Sequence, residues 1–187
     1  MKSILAVLTS LVLVAASCSK DNDSGVAARA KHPPAVEPAS NEKNRLPAEV
    51  EAFLKAASNM ELLSLDPTPL PPAAPPPALG VFHGYKITGR AALSDAGKRK
   101  ALGELVLRGI RESDGRQAKC FEPRHGIRFE QDEKVLELVI CYECLSIEAF
   151  GNVFAAGLEP RTVLTSNAVE PAVTNAFNEL GLKIAAQ

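Results

Sequence analysis

The sequence predicts an α+β domain, in which an antiparallel sheet of about four to five strands has helices packed on one face. Apolar residues recur at helical spacing in some segments of the chain and alternate with polar residues, as in strands, in others. Hydrophobic residues make up 46% and charged residues 23% of the 187 residues, which is ordinary for a globular protein. This composition excludes a wholly disordered chain, a coiled coil and a multi-span membrane protein.

Residues 1–17 are typical of a signal peptide. Lys2 supplies a positive charge, and the apolar run over residues 4–16 is shorter than the about 20 residues that a transmembrane helix needs. Small residues and a cysteine follow, in the order Val14-Ala15-Ala16-Ser17-Cys18. The alternative is a plain signal peptide cut before Cys18, which would leave an ordinary thiol there.

This segment resembles the bacterial lipoprotein signal, although Ala15 stands where leucine is usual. The resemblance implies that Cys18 becomes the new N-terminus and carries acyl chains such as palmitate. Several acyl chains would anchor the protein stably to a membrane, since each buried methylene adds about 0.8 kcal/mol. Because Ser19 rather than aspartate follows, the resemblance favours the periplasmic face of the outer membrane over the inner membrane.

Residues 18–46 are predicted to be the lipidated cysteine and a disordered tether. They hold almost no large apolar residue and cannot bury enough surface to fold. A flexible chain of this length spans roughly 30 Å, at about 5–6 Å times the square root of the residue number. A single domain is predicted to follow over residues 47–187.

The first part of the domain predicts a helix, a short strand and a loop. Pro47 suits the first turn of a helix, and apolar residues then recur at helical spacing up to Ala57. Residues 61–65 predict a short strand. Seven prolines within residues 66–77 exclude a helix or a central strand, so we expect a stiff surface loop over 67–77. A ligand for a proline-binding partner is the alternative for this loop.

The remaining elements follow in alternation. Residues 81–92 predict a strand, and residues 94–113 predict a helix whose N-cap is Ser94. Residues 145–150 continue the next hairpin or add a strand to it. A final helix is predicted from Glu170 to the stop at Gly181.

A hairpin between the two long helices is predicted in detail. Its strands alternate apolar and polar residues on either side of a turn at Asp132-Glu133. That turn pairs residues whose numbers sum to 265, so His125 faces Ile140. In the same register Cys144 falls one step away from Cys120, a step that a bulge at Pro123 would correct.

The cysteines carry the strongest chemical signal, in the spacing Cys120-x4-His125-x15-Cys141-x2-Cys144. Cross-strand neighbours lie about 4.5–5.5 Å apart, within disulfide range. In an oxidising envelope the spacing therefore favours a structural Cys120–Cys144 disulfide with Cys141 unpaired. The pair Cys141 and Cys144 could close on itself only if the strand broke into a turn there.

Three alternatives for these residues stay open. The set Cys120, His125, Cys141 and Cys144 could form a Cys3His site for zinc, or for copper as Cu(I). The Cys-x-x-Cys pair could be a redox couple, or the thiols could be inert. No Ser or Cys nucleophile stands in a recognisable pattern with a histidine and a carboxylate, so no catalytic residue is assigned.

Charge is unevenly distributed. Residues 86–128 hold eleven Lys and Arg against five Asp and Glu, a net of +6, whereas residues 129–187 have a net of −6. We expect the two halves to neutralise each other in the folded domain, with a surface for anionic lipid headgroups as the alternative. The formal net charge of −1 and the scarcity of aromatic residues give no indication of nucleic-acid binding.

Several motifs together suggest a family resemblance. The segments are Leu63-Ser64-Leu65-Asp66-Pro67, Phe82-His83-Gly84-Tyr85, Cys120-Phe121-Glu122-Pro123-Arg124-His125 and Cys141-Tyr142-Glu143-Cys144. They resemble a group of uncharacterised bacterial exported proteins over about residues 60–148. The resemblance implies export and one domain, and it transfers no catalytic residue to this chain.

The sequence therefore predicts a membrane-anchored envelope lipoprotein that acts as a non-enzymatic binding or structural module. Its expected partners are the membrane, through the lipid anchor, and an envelope protein. A metal-binding lipoprotein and a thiol oxidoreductase are the two alternatives.

Overall fold

The computed structural model describes residues 45–154 and 161–186, which fall within one compact unit. The helices are α1 (Ala48–Ala56), α2 (Ala96–Arg111) and α3 (Glu170–Glu179), with a 3-10 helix at Asn167–Val169. The strands are β1 (Asn59–Pro69), β2 (Val81–Phe82), β3 (Tyr85–Ala92), β4 (His125–Gln131), β5 (Lys134–Cys141), β6 (Ser146–Phe150) and β7 (Arg161–Leu164). The predicted signal peptide, the lipidation site Cys18 and the tether up to residue 44 lie outside the described residues.

All seven strands form one sheet in the order β2-β3-β1-β4-β5-β6-β7, and every neighbouring pair is antiparallel. The predicted α+β class and antiparallel sheet are confirmed. The predicted number of four to five strands is wrong, because the described chain contributes seven.

The two additional strands have local causes. Residues 81–92 form two strands because His83 and Gly84 both adopt positive φ, of 48° and 89°. Two central residues with positive φ make the tight turn whose twist suits a hairpin. The other addition, β7, has only four residues, which is too short for an alternating pattern to predict it.

Two prolines lie within a strand, although the sequence predicts a surface loop from residue 67 onwards. β1 runs to Pro69 and includes Pro67. On one side, β1 pairs with β4 only as far as Ser64, and beyond it the contact with β3 continues to Pro69 opposite Tyr85. This end of β1 is therefore an edge, where a residue without an N–H leaves no ladder hydrogen bond unmade.

The β4–β5 register is confirmed. His125 faces Ile140, Ile127 faces Leu138, and the two strands meet at a turn in which Asp132 has a φ of 54°. Alternation along these strands sends successive side chains to opposite faces of the sheet.

The two faces of the sheet differ in what covers them. On one face, termed the helix face, strand residues such as Leu62 and Leu138 pack against all three helices in the main core. The opposite face, termed the open face, carries a smaller cluster of strand residues and two aromatic neighbours. Its members are Leu63, Leu65, Phe82, Tyr85, Ile87 and Val139, with Phe121 and Phe150 packed against them.

The start of the domain differs slightly from the prediction. Leu46, which the sequence assigns to the tether, is buried in the main core with α1. The N-cap of α2 is Asp95 rather than Ser94, since the Asp95 carboxylate accepts a hydrogen bond from the backbone of Lys98 at 2.8 Å. Helix α3 begins at Glu170 as predicted, and Gly181 follows it with a φ of 75°.

Candidate functional site

The disulfide joins Cys141 to Cys144, with 5.1 Å between their Cα atoms. Strand β5 ends at Cys141, and the chain turns at once, with the Leu145 N–H donating to the Tyr142 carbonyl at 3.2 Å. Strand β5 thus breaks into the turn that a bond between Cys141 and Cys144 requires. The predicted Cys120–Cys144 bond is not formed, because the partner of Cys144 is three residues away and Cys120 is an exposed free thiol.

The segment that contains Cys120 nevertheless lies beside this turn. The backbone N–H of Ala118 donates to the carbonyl of Cys144 at 3.1 Å, and that of Glu122 donates to its Sγ at 3.4 Å. The sequence therefore places the right segments together and assigns the wrong bond between them. Both bonded cysteines are buried, so the disulfide is enclosed by the fold.

His125 lies on the helix face of the sheet. It pairs with Ile140, the residue before Cys141. Its ring is buried between Tyr142 and Phe177, and its Nε2 lies 2.9 Å from Oγ1 of Thr174 on α3. Burial lowers the pKa of His125 to about 4, and the neighbouring Arg124 guanidinium adds to the shift. The imidazole is therefore neutral in ordinary conditions.

The four residues of the predicted metal site do not meet as a ligand set in the described structure. Cys141 and Cys144 are bonded to each other and supply no thiolate in this form. Within residues 45–154 and 161–186 no group of three or more His, Cys, Asp or Glu is placed to hold a metal ion. Zinc or copper binding by this set stays a prediction.

Arg124 fastens three parts of the chain around the turn. Its Nη1 donates to the Glu143 carboxylate at 3.0 Å and to the Glu122 carbonyl at 3.3 Å, while Nε donates to the Ala186 carbonyl at 3.3 Å. Its side chain is only 10% exposed. Arg124 thus ties the disulfide turn to the preceding loop and to the C-terminal segment.

Two further titratable groups lie near this cluster. Tyr142 is buried, and its hydroxyl has no hydrogen-bond partner among the described residues. Burial, with the Glu170 carboxylate adding to it, raises the pKa of Tyr142 above its ordinary value. Burial also raises the pKa of Glu170, and the Glu143 charge acts in the same direction. Tyr142 therefore belongs to the main core that α3 helps to cover, while Glu170 is partly exposed.

The open face carries a second polar site, termed here the charged recess. It has a volume of about 350 Å³. Its walls combine aliphatic, aromatic and charged side chains from β1 to β5. The lining residues are Glu61, Leu63, Val81, Phe82, His83, Ile87, Arg90, Arg128 and Glu137.

His83 holds the tip of the β2–β3 hairpin over this face. Its ring stacks on Phe150 with centroids 3.7 Å apart, and its Nε2 lies 2.8 Å from Oε2 of Glu137. An ionised carboxylate only accepts hydrogen bonds, so Nε2 is the donor. Nδ1 has no partner among the residues that the structure describes.

Glu137 is the centre of a charged network. Its second oxygen accepts a hydrogen bond from Arg128 at 2.5 Å, and Arg128 also donates to Glu130 at 2.6 Å. The hydrogen bond from His83 is the main cause that lowers the pKa of Glu137, and the Arg128 charge contributes. The recess therefore has two carboxylates, two arginines and one imidazole on a partly apolar surface.

Sequence reasoning did not identify the recess. Arg128 and Glu137 are cross-strand partners in the predicted register, so that pair was available from the hairpin alone. The position of His83 was not, because it depends on a hairpin that contacts a strand 54 residues away.

No protein-family model, curated protein or solved structure matches this chain. In residues 45–154 and 161–186, no helix has both the length and the apolarity to cross a membrane. The basis for a function is therefore the chemistry of the described side chains and of the predicted signal peptide.

Proposed function

We propose that the chain is a membrane-anchored lipoprotein of the bacterial cell envelope, whose domain is a non-enzymatic binding module. The observation that carries the anchoring is the position of Cys18, directly after an apolar run and two small residues. Residues 18–44 would then serve as the tether between the lipid and the folded domain. Ser19 favours the outer membrane, with the domain on its periplasmic side.

The disulfide supports an exported location. Structural disulfides persist in oxidising compartments such as the bacterial periplasm and are rare in the cytosol. Cys141 and Cys144 are bonded and buried, as expected of a bond that helps to hold a fold. An oxidising environment would leave this pair closed and the exposed Cys120 available for modification.

The charged recess supports a binding role. Ligand sites combine apolar walls with a few well-placed polar groups, and cavities of about 300–1,000 Å³ are usual. The recess fits this description at about 350 Å³, with Phe82 and Ile87 beside Arg90 and His83. The described histidines bond to Thr174 and Glu137, and neither has a Ser or Cys nucleophile as a partner.

The anchoring is tested by expressing the full chain in a bacterium that processes lipoproteins. We expect the wild-type protein in the membrane fraction, with a peptide mass that shows an acylated Cys18 at its N-terminus. The variant Cys18→Ala should lose the acyl mass and leave the membrane, whereas the matched variant Cys120→Ala should keep both. A soluble, unmodified chain that retains Met1 to Ser17 would contradict the proposal.

A thiol oxidoreductase is the second candidate, because Cys141 and Cys144 form the closed state of a Cys-x-x-Cys couple. The reduction potential separates the two roles. A structural disulfide should have a potential below about −300 mV, whereas catalytic couples lie between about −270 and −120 mV. We expect the structural value, because both cysteines are buried. A potential in the catalytic range would favour the oxidoreductase.

A further inference from the structure

A second cavity adjoins the charged recess and shares Glu61 and Arg128 with it. This end cavity lies where β1 begins and where β3 and β4 end, next to the first turn of α2. Its volume is about 550 Å³. The lining residues that matter here are Met60, Glu61, Leu93, Arg99, Arg128 and Glu130.

Arg99 is held in a defined orientation in this cavity. Its Nη1 donates to the Leu93 carbonyl at 3.2 Å and to the Ser94 carbonyl at 2.5 Å. Its Nε is buried without a hydrogen-bond partner, and Nη2 also has none among the described residues. Because Nε is buried, Nη2 is the nitrogen of this guanidinium that is left to donate a charge-assisted hydrogen bond to a carboxylate in the cavity.

Two carboxylates also line the cavity. Glu61 pairs with Arg90 at 3.3 Å and Glu130 pairs with Arg128 at 2.6 Å, in both cases through Oε1. The Oε2 atoms have no partner in the described part of the chain. An ammonium group supplies three donors and would satisfy such acceptors.

The cavity lining also has an apolar part. Met60 and Leu93 line the cavity and belong to the main core, where both are buried. A ligand with only negative charge would meet Glu61 and Glu130 and be repelled, and a purely cationic ligand would meet Arg99 and Arg128. A ligand that carries both signs around a short aliphatic part avoids both repulsions.

We propose that the end cavity binds a small zwitterion, an amino acid or a short peptide with free ends. The ligand's carboxylate pairs with Nη2 of Arg99, and its ammonium group faces Glu61 and Glu130. An aliphatic side chain contacts Met60 and Leu93. This inference rests on the proposed binding function and gives it a ligand class.

The direct test uses the lipidated wild-type protein in detergent and the dipeptide alanyl-leucine, with affinity measured by calorimetry. We expect saturable binding that weakens at least tenfold when the peptide's amine is acetylated, and equally when its carboxylate is an amide. These comparisons change only the ligand, so protein folding does not affect them. Equal affinity for the free and capped peptides, or no heat at millimolar peptide, would overturn the proposal.

Variants then locate the site. Arg99→Gln should weaken binding of the free dipeptide at least tenfold, whereas Lys100→Gln, which removes an exposed cation from the same helix, should leave it unchanged. Glu130→Gln should reduce the preference for a free amine over an acetylated one, since Glu61 remains, while thermal melts verify that each variant folds. Unchanged binding by Arg99→Gln would place the ligand elsewhere. The unlipidated Cys18→Ala protein should bind as the wild type does, so failure of anchoring and failure of ligand binding are distinguishable.

Discussion

His125 shows how one buried side chain makes stability depend on pH. Its pKa in the folded domain is about 4, against a value of 6.5 when it is free in solution. The unfolded chain therefore binds a proton first as the pH falls. Stability is independent of this group above about pH 6.5 and is lost progressively towards pH 4. One pKa unit corresponds to about 1.4 kcal/mol, so the loss approaches about 3 kcal/mol.

The prediction is that His125→Gln removes this loss, since glutamine has no proton to gain. Urea unfolding at pH 7 and at pH 5 measures it. The free energy of unfolding of the wild type should fall between the two values more than that of the variant, and the carboxylates common to both proteins cancel in the comparison. An identical fall in both proteins would show that His125 titrates normally when folded.

Glu137 on β5 connects its own strand to β4 and to the tip of the β2–β3 hairpin. Its carboxylate accepts from His83 and Arg128, and its side chain is 17% exposed. Because folding lowers the pKa of Glu137, the stability that these two hydrogen bonds contribute is present above the ordinary pKa of the carboxyl. That stability is lost as the pH falls through the lowered value.

We predict that Glu137→Gln lowers the free energy of unfolding at pH 7 by about 1 kcal/mol, since two charge-assisted hydrogen bonds weaken at a partly exposed site. The matched control is Glu104→Gln, on the exposed surface of α2, which should change stability little. Chemical denaturation measures both variants. Equal effects would show that the network around Glu137 adds nothing specific.

At the scale of an element, the turn between β5 and β6 is defined by its disulfide. Closing so short a loop restricts the unfolded chain, and the chain-entropy relation gives about 2 kcal/mol for it. Cys141→Ser combined with Cys144→Ser should lower the free energy of unfolding by that amount. Cys120→Ser should have no comparable effect, because Cys120 is exposed and unbonded.

The same variants discriminate between the two pairings of Cys144. If Cys120→Ser destabilised the protein under oxidising conditions as much as the double variant does, the bond would be Cys120–Cys144. Mass mapping of peptides before and after reduction identifies the bonded pair directly and counts free thiols. A chelator added to the same sample shows whether metal protects any of them.

What the sequence could predict was local. The register of β4 and β5 followed from a turn and from alternation within about sixteen residues. The partner of Cys144 did not, because it depends on the residue at which β5 ends and the chain turns. The β2–β3 hairpin was missed since its turn is His83-Gly84 rather than the common Asn-Gly. The recess and the end cavity arise from side chains on separate strands, which no local pattern brings together.

For the whole molecule, the arrangement of charge bears on how the domain meets a membrane. The basic and acidic halves of the sequence meet in pairs such as Lys98–Glu179, Arg124–Glu143 and Arg128–Glu137. These contacts agree with the expected mutual neutralisation. They also reduce the cationic surface that could attract anionic lipid headgroups, and the formal net charge of the chain is −1.

We therefore predict that the proposed acyl chains on Cys18 alone would hold the protein on a membrane. In co-sedimentation with vesicles containing phosphatidylglycerol, the lipidated wild type should bind at low and at high salt, whereas unlipidated Cys18→Ala should remain in solution at both. Electrostatic attachment would be screened as salt rises, because the Debye length falls to about 3 Å at 1 M. Binding of Cys18→Ala that disappears with added salt would instead assign membrane contact to the basic residues between positions 86 and 128. The variant Lys100→Gln, which removes an exposed cation from that segment, would then weaken the attachment further.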